Sequence, residues 1–378
     1  MAEEYWSDPI LDAIDQECLV FRDNGSTVGD RTRHFVYGMV RAYIDIYREE
    51  PFSVVSVEEE FRIPFSRLVE DISPALACQE IGFNSEWSWA GKIDAVVDYE
   101  GSVFILEHKT TASPIDNDDG VFWSSMEMSG QVASYMLALF DQGVQVAGTI
   151  YDAVRKPAIR PRKITKSEIE GLENHWTYQG QELALDSARA SEYLAELEQQ
   201  EWRESDYLYG VRVQETMMSA PEKYFGRRVV KKTRKQLAEF VDEAVQTVRL
   251  IESSRDSQRH MRHLGSCYAY SKPCQYISLC QRLDNPDSDR WQKRTKRNSE
   301  LSEVDQSREL LTHSRKECYQ LCPRKHHYQY DLQLERKGKP QDGNLTIGSL
   351  FHRGLEAHFQ RFISSDSGNA TEGQDHSG

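Results

Sequence analysis

The period of the hydrophobic positions changes several times along the chain, and each change marks an element. Between residues 31 and 49, Phe35, Met39, Tyr43, Ile44 and Tyr47 recur at helical spacing among charged neighbours, which predicts an amphipathic helix lying on a flat surface. The run VVSVEEEFRIP, ending residues 52–64, is β-branched and closes on proline, so a strand is expected; alternation allows one or two of Glu58, Glu59 and Glu60 to face a site, with a solvated edge the favoured reading. After a loop around Ser73 to Asn84, WSWAGKIDAVVDYE and SVFILEHKTT are two β-rich runs separated by Glu100-Gly101, which reads as a hairpin. Residues 125–141 return to helical period and 145–154 predict another strand. The polar stretch 165–202 predicts a helical lever or cover, and 230–254 a further helix. Near the end, Ile347, Leu350, Phe351, Leu355, Phe359 and Phe362 share one helical face. No internal repeat is evident.

Composition narrows the class. A chain of 378 residues with 39% hydrophobic and 10% aromatic content can bury a sizeable core and is not a disordered polymer. No run approaches the ~18 apolar residues of a membrane helix. The N-terminus, MAEEYWSDPI, is acidic where a signal peptide is basic, so a soluble, cytoplasmic protein is expected with no membrane partner. Of seven cysteines, five (Cys267, Cys274, Cys280, Cys318 and Cys322) fall in the last third, which suggests bound metal rather than a disulfide framework.

Charge is unevenly placed. The net charge is −15, yet residues 1–120 carry −16, leaving +1 for the rest. Residues 222–236 hold seven Lys or Arg against one Glu, and 290–297 five with no acid. Such runs, with Arg227, Arg228, Lys231 and Lys232 foremost, are candidates to guide DNA; a solvated helix face is the plainer alternative.

The strongest chemical feature is Gly91-Lys-Ile-Asp94, followed after the hairpin by Leu106-Glu107-His108-Lys109. Strand alternation puts Glu107 and Lys109 on one face and turns His108 away, while adjacent strands can bring Asp94 beside Glu107. Two carboxylates suit Mg²⁺ or Mn²⁺, the ammonium can orient a nucleophile, and the His108 carbonyl can add a ligand. Neither a local Ser/His/Asp or Cys/His signature nor a phosphate-cradling Gly-rich loop is present.

These residues resemble the PD-(D/E)XK nucleases, specifically the RecB-like exonuclease branch of recombination enzymes, phages and CRISPR-associated exonucleases. Gln131 and Tyr135, four apart on the next helix, are similar to that branch's Gln-three-residues-Tyr motif. Gly348 and His352 look like its Gly-three-residues-His motif, in which the histidine is a metal ligand, with Glu356 placed to support it. The run CPRKHHYQY from Cys322 looks like the family's opening helix. Cys267, Cys274 and Cys280 resemble the trio that, with a fourth cysteine (Cys322, or Cys318 one turn away), holds a [4Fe–4S] cluster. Six and five intervening residues do not make a zinc-ribbon pair, but zinc remains the alternative.

The resemblance implies an α/β, restriction-endonuclease-like core, a mixed central sheet flanked by helices, with a helical insertion and a cysteine-held cap. It implies metal-dependent hydrolysis of DNA, single-stranded or end-directed, in repair, recombination or phage DNA processing, and allows a helicase or recombination partner. A catalytically silent DNA-binding or assembly subunit and a zinc-stabilised interaction module are the rival readings. The motif order is unusual: the opening helix and Gly/His motifs follow the cysteine trio instead of leading. Either the chain is circularly permuted, or the last segment is a truncated second copy or a gene-model error. With permutation, the expected segments are 1–164 (core with the Asp, Glu-X-Lys and Gln/Tyr motifs), 165–264 (helical insertion), 265–283 (cysteine loop), 284–307 (charged linker), 308–363 (permuted opening segment) and 364–378 (disordered tail).

Overall fold

A computed structural model describes residues 9–23, 28–72, 87–118, 120–183, 187–268, 272–302, 309–337 and 343–369. The loop expected around Ser73 to Asn84, Cys78, and the end of the expected tail lie outside these residues.

The centre is a mixed six-stranded sheet. Strands β1 (Ser53–Pro64), β2 (Trp87–Tyr99) and β3 (Ser102–Thr111) run antiparallel in turn, and β4 (Val146–Arg155) lies parallel to β3. The far edge is β5 (Phe225–Val230), antiparallel to β4. Short β6 (Glu309–Leu311) lies parallel to the first residues of β2. The hairpin at Glu100-Gly101 forms as its composition predicts; Gly101 has a φ of 76°, in the left-handed region where glycine carries no Cβ penalty.

Alternation divides the sheet between two cores. Trp87, Trp89, Ile93, Val96 and Ile105 pack against α3 (Gly130–Asp141), α5 (Arg234–Asp256) and α6 (His313–Leu321). Ala95, Val97, Leu106, Ile150 and Val154 face the other way, onto α1 (Pro9–Asp23), α2 (Asp30–Ile46), α4 (Asp206–Met218) and α7 (Gly343–Asn369). Helices α2 and α4 cross so closely that a Cβ on Gly38 would sit 2.3 Å from the Gly210 carbonyl oxygen, so that crossing needs glycine. The expected α/β architecture, a mixed sheet with helices on both faces, is what the chain adopts.

Several sequence expectations change on folding. The single helix expected over 125–141 is two, Val121–Met128 and α3, broken at Ser129, whose hydroxyl caps α3 by accepting from the Gln131 N–H at 3.2 Å. Residues 165–264, expected as an insertion, also supply β5, α4 and α5 to the sheet and both cores. Within the expected linker, Trp291–Lys293 pairs with Leu334–Arg336, and buried Trp291 stacks on Tyr276 at 5.5 Å. A stretch poor in apolar residues still packs when its one large ring finds an aromatic partner. Helix α7 runs to Asn369, past the expected start of the tail.

Candidate active site and thiol cavity

The site opens where β2 forks. Residues Ala95–Tyr99 of β2 pair with β3, whereas Trp87–Trp89 pair with β6, so β3 has left β2 by the time Asp94 is reached. The Asp94 carboxylate fills the fork and accepts the His108 backbone N–H at 2.9 Å. From the other core, α7 carries His352 into the same gap: its Nε2–H donates to the His108 carbonyl at 3.0 Å, and its Nδ1 is 3.6 Å from Asp94 Oδ2. A side chain from one helical layer thereby meets a carboxylate of the opposite layer's face.

On β3, Glu107 is almost fully buried, its side chain 1% exposed. One carboxylate oxygen is hydrogen-bonded by Lys109 Nζ, which also donates to Gln131 Oε1 at 2.9 Å; Gln131 Nε2 donates to the Tyr135 hydroxyl at 2.6 Å. Asp94, Glu107, His108, Lys109, Gln131, Tyr135 and His352 are therefore brought together. The other Glu107 oxygen, Oε2, is buried with no hydrogen-bond partner among the described residues. An orphaned buried carboxylate oxygen is costly unless a cation or proton satisfies it.

Electrostatics follow from this crowding. Burial, reinforced by the Asp94 charge, pushes the Glu107 carboxyl upward against the pull of Lys109. Burial alone would lower Lys109, but the Glu107 and Asp94 carboxylates outweigh it and hold the ammonium above its ordinary range. Desolvation, then the charges of His108 and Lys109, push His352 down to about 4, so its imidazole is neutral at pH 7, the form in which it ligates metal.

A cleft of about 740 Å³ lies over the fork, lined among others by Asp94, Gln131, Tyr135, His352, Lys92 and Glu58. Glu58 corrects the expectation of a solvated edge. Its register places it opposite Asp94, its backbone is left-handed with φ 56°, and its carboxylate is ion-paired with Lys92. Burial, and then the charges of Asp94 and Glu356 against that of Lys92, raise Glu58 to about 7. Glu59 and Glu60 are held by Gln142 and Ser302. Period-two alternation could have pointed to Glu58, but only the register says which strand residue faces it. Glu356, expected to support His352, pairs with Arg353 Nη1 at 2.5 Å.

Behind the fork, on the face to which His108 turns, sequence reasoning missed a buried polar network. Asp152 is fully buried, its carboxylate accepting from the Tyr43 hydroxyl at 2.5 Å and from Arg227 at 3.1 Å, with His108 Nδ1 3.4 Å away. Arg227 also grips Glu50, at 2.5 and 2.7 Å, and lies 3.6 Å over the Tyr47 ring. This corrects the expectation that Arg227 guides DNA: its guanidinium is committed inside the fold. Arg228 is paired with Asp118 and Glu127, and Lys232 donates to the Glu127 carbonyl. Of the four basic candidates, Lys231 is exposed. In the 290–297 run, Arg297 pairs with Glu309 at 3.0 Å and Lys293 donates to the Leu332 carbonyl at 2.6 Å, so these cations knit the C-terminal segment instead of forming a free basic track.

Cys267, Cys274, Cys280 and Cys322 line one small cavity. Burial raises the Cys280 thiol, and the neighbouring sulfurs of Cys274, Cys322 and Cys267 add to the shift. Cys318 is buried, its sulfur turned toward Gln329 Oε1 at 3.9 Å. Among the described residues, no three cysteine sulfurs lie within 4.8 Å of one another.

Comparison with curated proteins and with solved structures found no match. A family model, that of the PD-(D/E)XK nuclease superfamily, matches residues 2–281 and 310–377, spanning both the forked sheet and the helix that brings His352 to it. With nearly the whole chain covered, the chain belongs to the PD-(D/E)XK nuclease superfamily.

Proposed function

We propose that the chain is a Mg²⁺- or Mn²⁺-dependent DNA nuclease whose centre is the β2/β3 fork. The observation that carries this reading is the hydrogen-bonded chain Glu107–Lys109–Gln131–Tyr135 beside Asp94, which holds the His108 backbone N–H, under a cleft lined by Asp94 and His352. Asp94, the free Oε2 of Glu107, the imidazole of His352 and the carbonyl of His108 would hold the cation, and hard oxygens with one imidazole suit Mn²⁺ or Mg²⁺. When bound, the cation supplies charge neutralisation at the phosphate and a lower pKa for water.

The chain's own residues supply the rest. Lys109, held by Glu107 and Gln131, orients the attacking water. Gln131, fixed by the Ser129 cap and Tyr135, positions the scissile phosphate. The His108 backbone, pinned on both sides by Asp94 and His352, keeps the fork open. RecB-like exonuclease action, single-strand or end-directed cutting, a role in repair, recombination or phage DNA processing, and a helicase or recombination partner extend this reading by resemblance. Circular permutation is supported by the seating of α7 in the same fold as the hairpin acids.

The four thiols are proposed to hold a [4Fe–4S] cluster. Tetrahedral zinc at ~2.3 Å would draw its sulfurs to about 3.8 Å of one another.

The test is cleavage of labelled single- and double-stranded DNA with Mg²⁺, Mn²⁺ or chelator, for wild type beside Asp94→Ala. Metal-dependent cutting lost in the variant is expected. Binding without cutting in either protein would favour a silent DNA-binding subunit. Anaerobically purified protein should absorb near ~400 nm, and zinc with no such band would overturn the cluster.

A further inference from the structure

A third group of ligand-type side chains lies apart from both the fork and the thiol cavity. One nitrogen each from His260 and His327 and one oxygen from Asp331 lie within 4.8 Å of one another. His327 and Asp331 are the ends of a π-helical turn, His327–Asp331, closed by the Leu332 N–H donating to the His327 carbonyl at 2.9 Å. Such turns are rare and are frequently found at functional sites. This one puts the Asp331 carboxylate 3.2 Å from His327 Nδ1.

His260 comes from a different part of the chain, the segment that leaves α5. It is held in place by its backbone: Arg324 Nε donates to the His260 carbonyl at 2.8 Å, and the Arg324 N–H to the Met261 carbonyl at 2.9 Å. Its ring stacks on that of His327 with centroids 3.8 Å apart and planes 16° from parallel. Asp331 is oriented from behind, its Oδ1 accepting from Arg255 Nε at 3.0 Å and Nη2 at 2.7 Å. A carboxylate fixed through one oxygen by a guanidinium, with the other 3.2 Å from His327 Nδ1 and 4.0 Å from His326 Nδ1, is the supporting arrangement that metal-binding carboxylates use.

We propose that His260, His327 and Asp331 form a binding site for a borderline divalent transition ion such as Zn²⁺, distinct from the Mg²⁺/Mn²⁺ and thiol sites. Two imidazoles and one carboxylate select such an ion over Mg²⁺, which prefers oxygen donors and keeps its waters. Parallel stacked rings do not aim their lone pairs at one point, so binding turns one ring about its Cβ–Cγ bond. Burial, and then the charge of His327, push His260 below its ordinary value, which leaves it in the neutral form that ligates. The bound ion would tie the end of α5 to the segment that carries Cys322, joining the two stretches of chain on which the thiol cavity depends. The site rests on neither the nuclease nor the cluster reading.

The experiment is a Co²⁺ titration of the chelator-treated full chain, followed by visible absorption, with thermal melts before and after one equivalent of Zn²⁺. The wild-type spectrum minus that of His260→Gln should show weak d–d bands free of sulfur-to-cobalt charge transfer, and wild type a melting temperature raised by several degrees. His260→Gln and His327→Ala should each lose one bound equivalent and that stabilisation, while Glu107→Ala keeps both. His260→Gln leaves the packed segment 322–331 intact and serves should His327→Ala fail to fold. In wild type, Zn²⁺ should also protect His260 and His327 from diethylpyrocarbonate, read by peptide mass. Equal metal equivalents in wild type and His260→Gln, or no protection, would overturn the site.

Discussion

The Nε2–H of His352 donates to the backbone carbonyl of His108 at 3.0 Å, although 244 positions separate the two residues in sequence. That bond spans the gap left where β3 departs from β2. It joins the last helix of the chain to the hairpin that carries both acids. If the fork is the active centre, damage to α7 should reach the chemistry as directly as damage to the hairpin.

On the proposed mechanism, Lys109 separates chemistry from binding. Lys109→Met removes the ammonium that contacts Glu107 and Gln131. Single-turnover DNA cleavage is expected to fall by about 10²–10⁴-fold, the usual loss of a group that handles the proton of a nucleophile, with DNA affinity nearly unchanged. Gln131→Ala should be milder, about tenfold, because the water-orienting cation remains. Unaltered cleavage in Lys109→Met would remove Lys109 from the mechanism.

Glu58 and His352 should give opposite pH signatures in the metal-free chain. Glu58 is raised from 4.5 to about 7, so its contribution is fully present below pH 4.5 and lost as pH rises through about 7. His352 is lowered from 6.5 to about 4, so its contribution is present above 6.5 and lost as pH falls through about 4. Glu58→Gln should therefore gain stability over wild type most clearly at pH 8. His352→Gln should flatten the acid limb between pH 6.5 and 4. Urea melts at half-unit pH intervals in chelator measure both; parallel curves for all three proteins would contradict the assignment.

Arg227 should behave as a structural residue. Removing it leaves fully buried Asp152 and nearly buried Glu50 without their cation. Breaking a buried pair in this way typically costs about 3–5 kcal/mol. Arg227→Ala should lower the denaturation midpoint accordingly, while Lys231→Ala should leave it alone. The dependence of DNA affinity on salt should change for Lys231→Ala if the exposed lysine meets phosphate, and stay as in wild type for any Arg227 variant that folds.

The α2/α4 crossing sets a steric test. Gly38→Ala would drive a methyl into the Gly210 carbonyl, which can yield only by moving a helix. The expected loss is at least the ~1–3 kcal/mol common for overpacking, seen as a lower melting temperature with little change in cleavage by the protein that remains folded.

Much of this fold was legible in local pattern. The hairpin at Glu100-Gly101, the strand at 146–155 and the long helices 30–46, 234–256 and 343–369 follow from period and turn chemistry, because those signals are carried by neighbouring residues. The break at Ser129 was missed because its helices are apolar on both sides and a cap reads as an ordinary serine. Trp291 was missed because one buried ring does not alter the average of a charged stretch. The same limit hid the commitment of Arg227: a basic run describes charge, while Glu50 and Asp152 lie far away in sequence.

Residue type and spacing alone picked out the candidate groups: Asp94 on one strand, Glu107 and Lys109 on the next, Gln131 and Tyr135 one helical turn apart, and a set of clustered thiols. Their convergence was decided only in three dimensions. The β1/β2 register put Glu58 opposite Asp94, the fork admitted His352 from the other helical layer, and the thiol cavity drew Cys322 to the trio. Contacts of that kind depend on packing between segments hundreds of residues apart, which no local periodicity encodes.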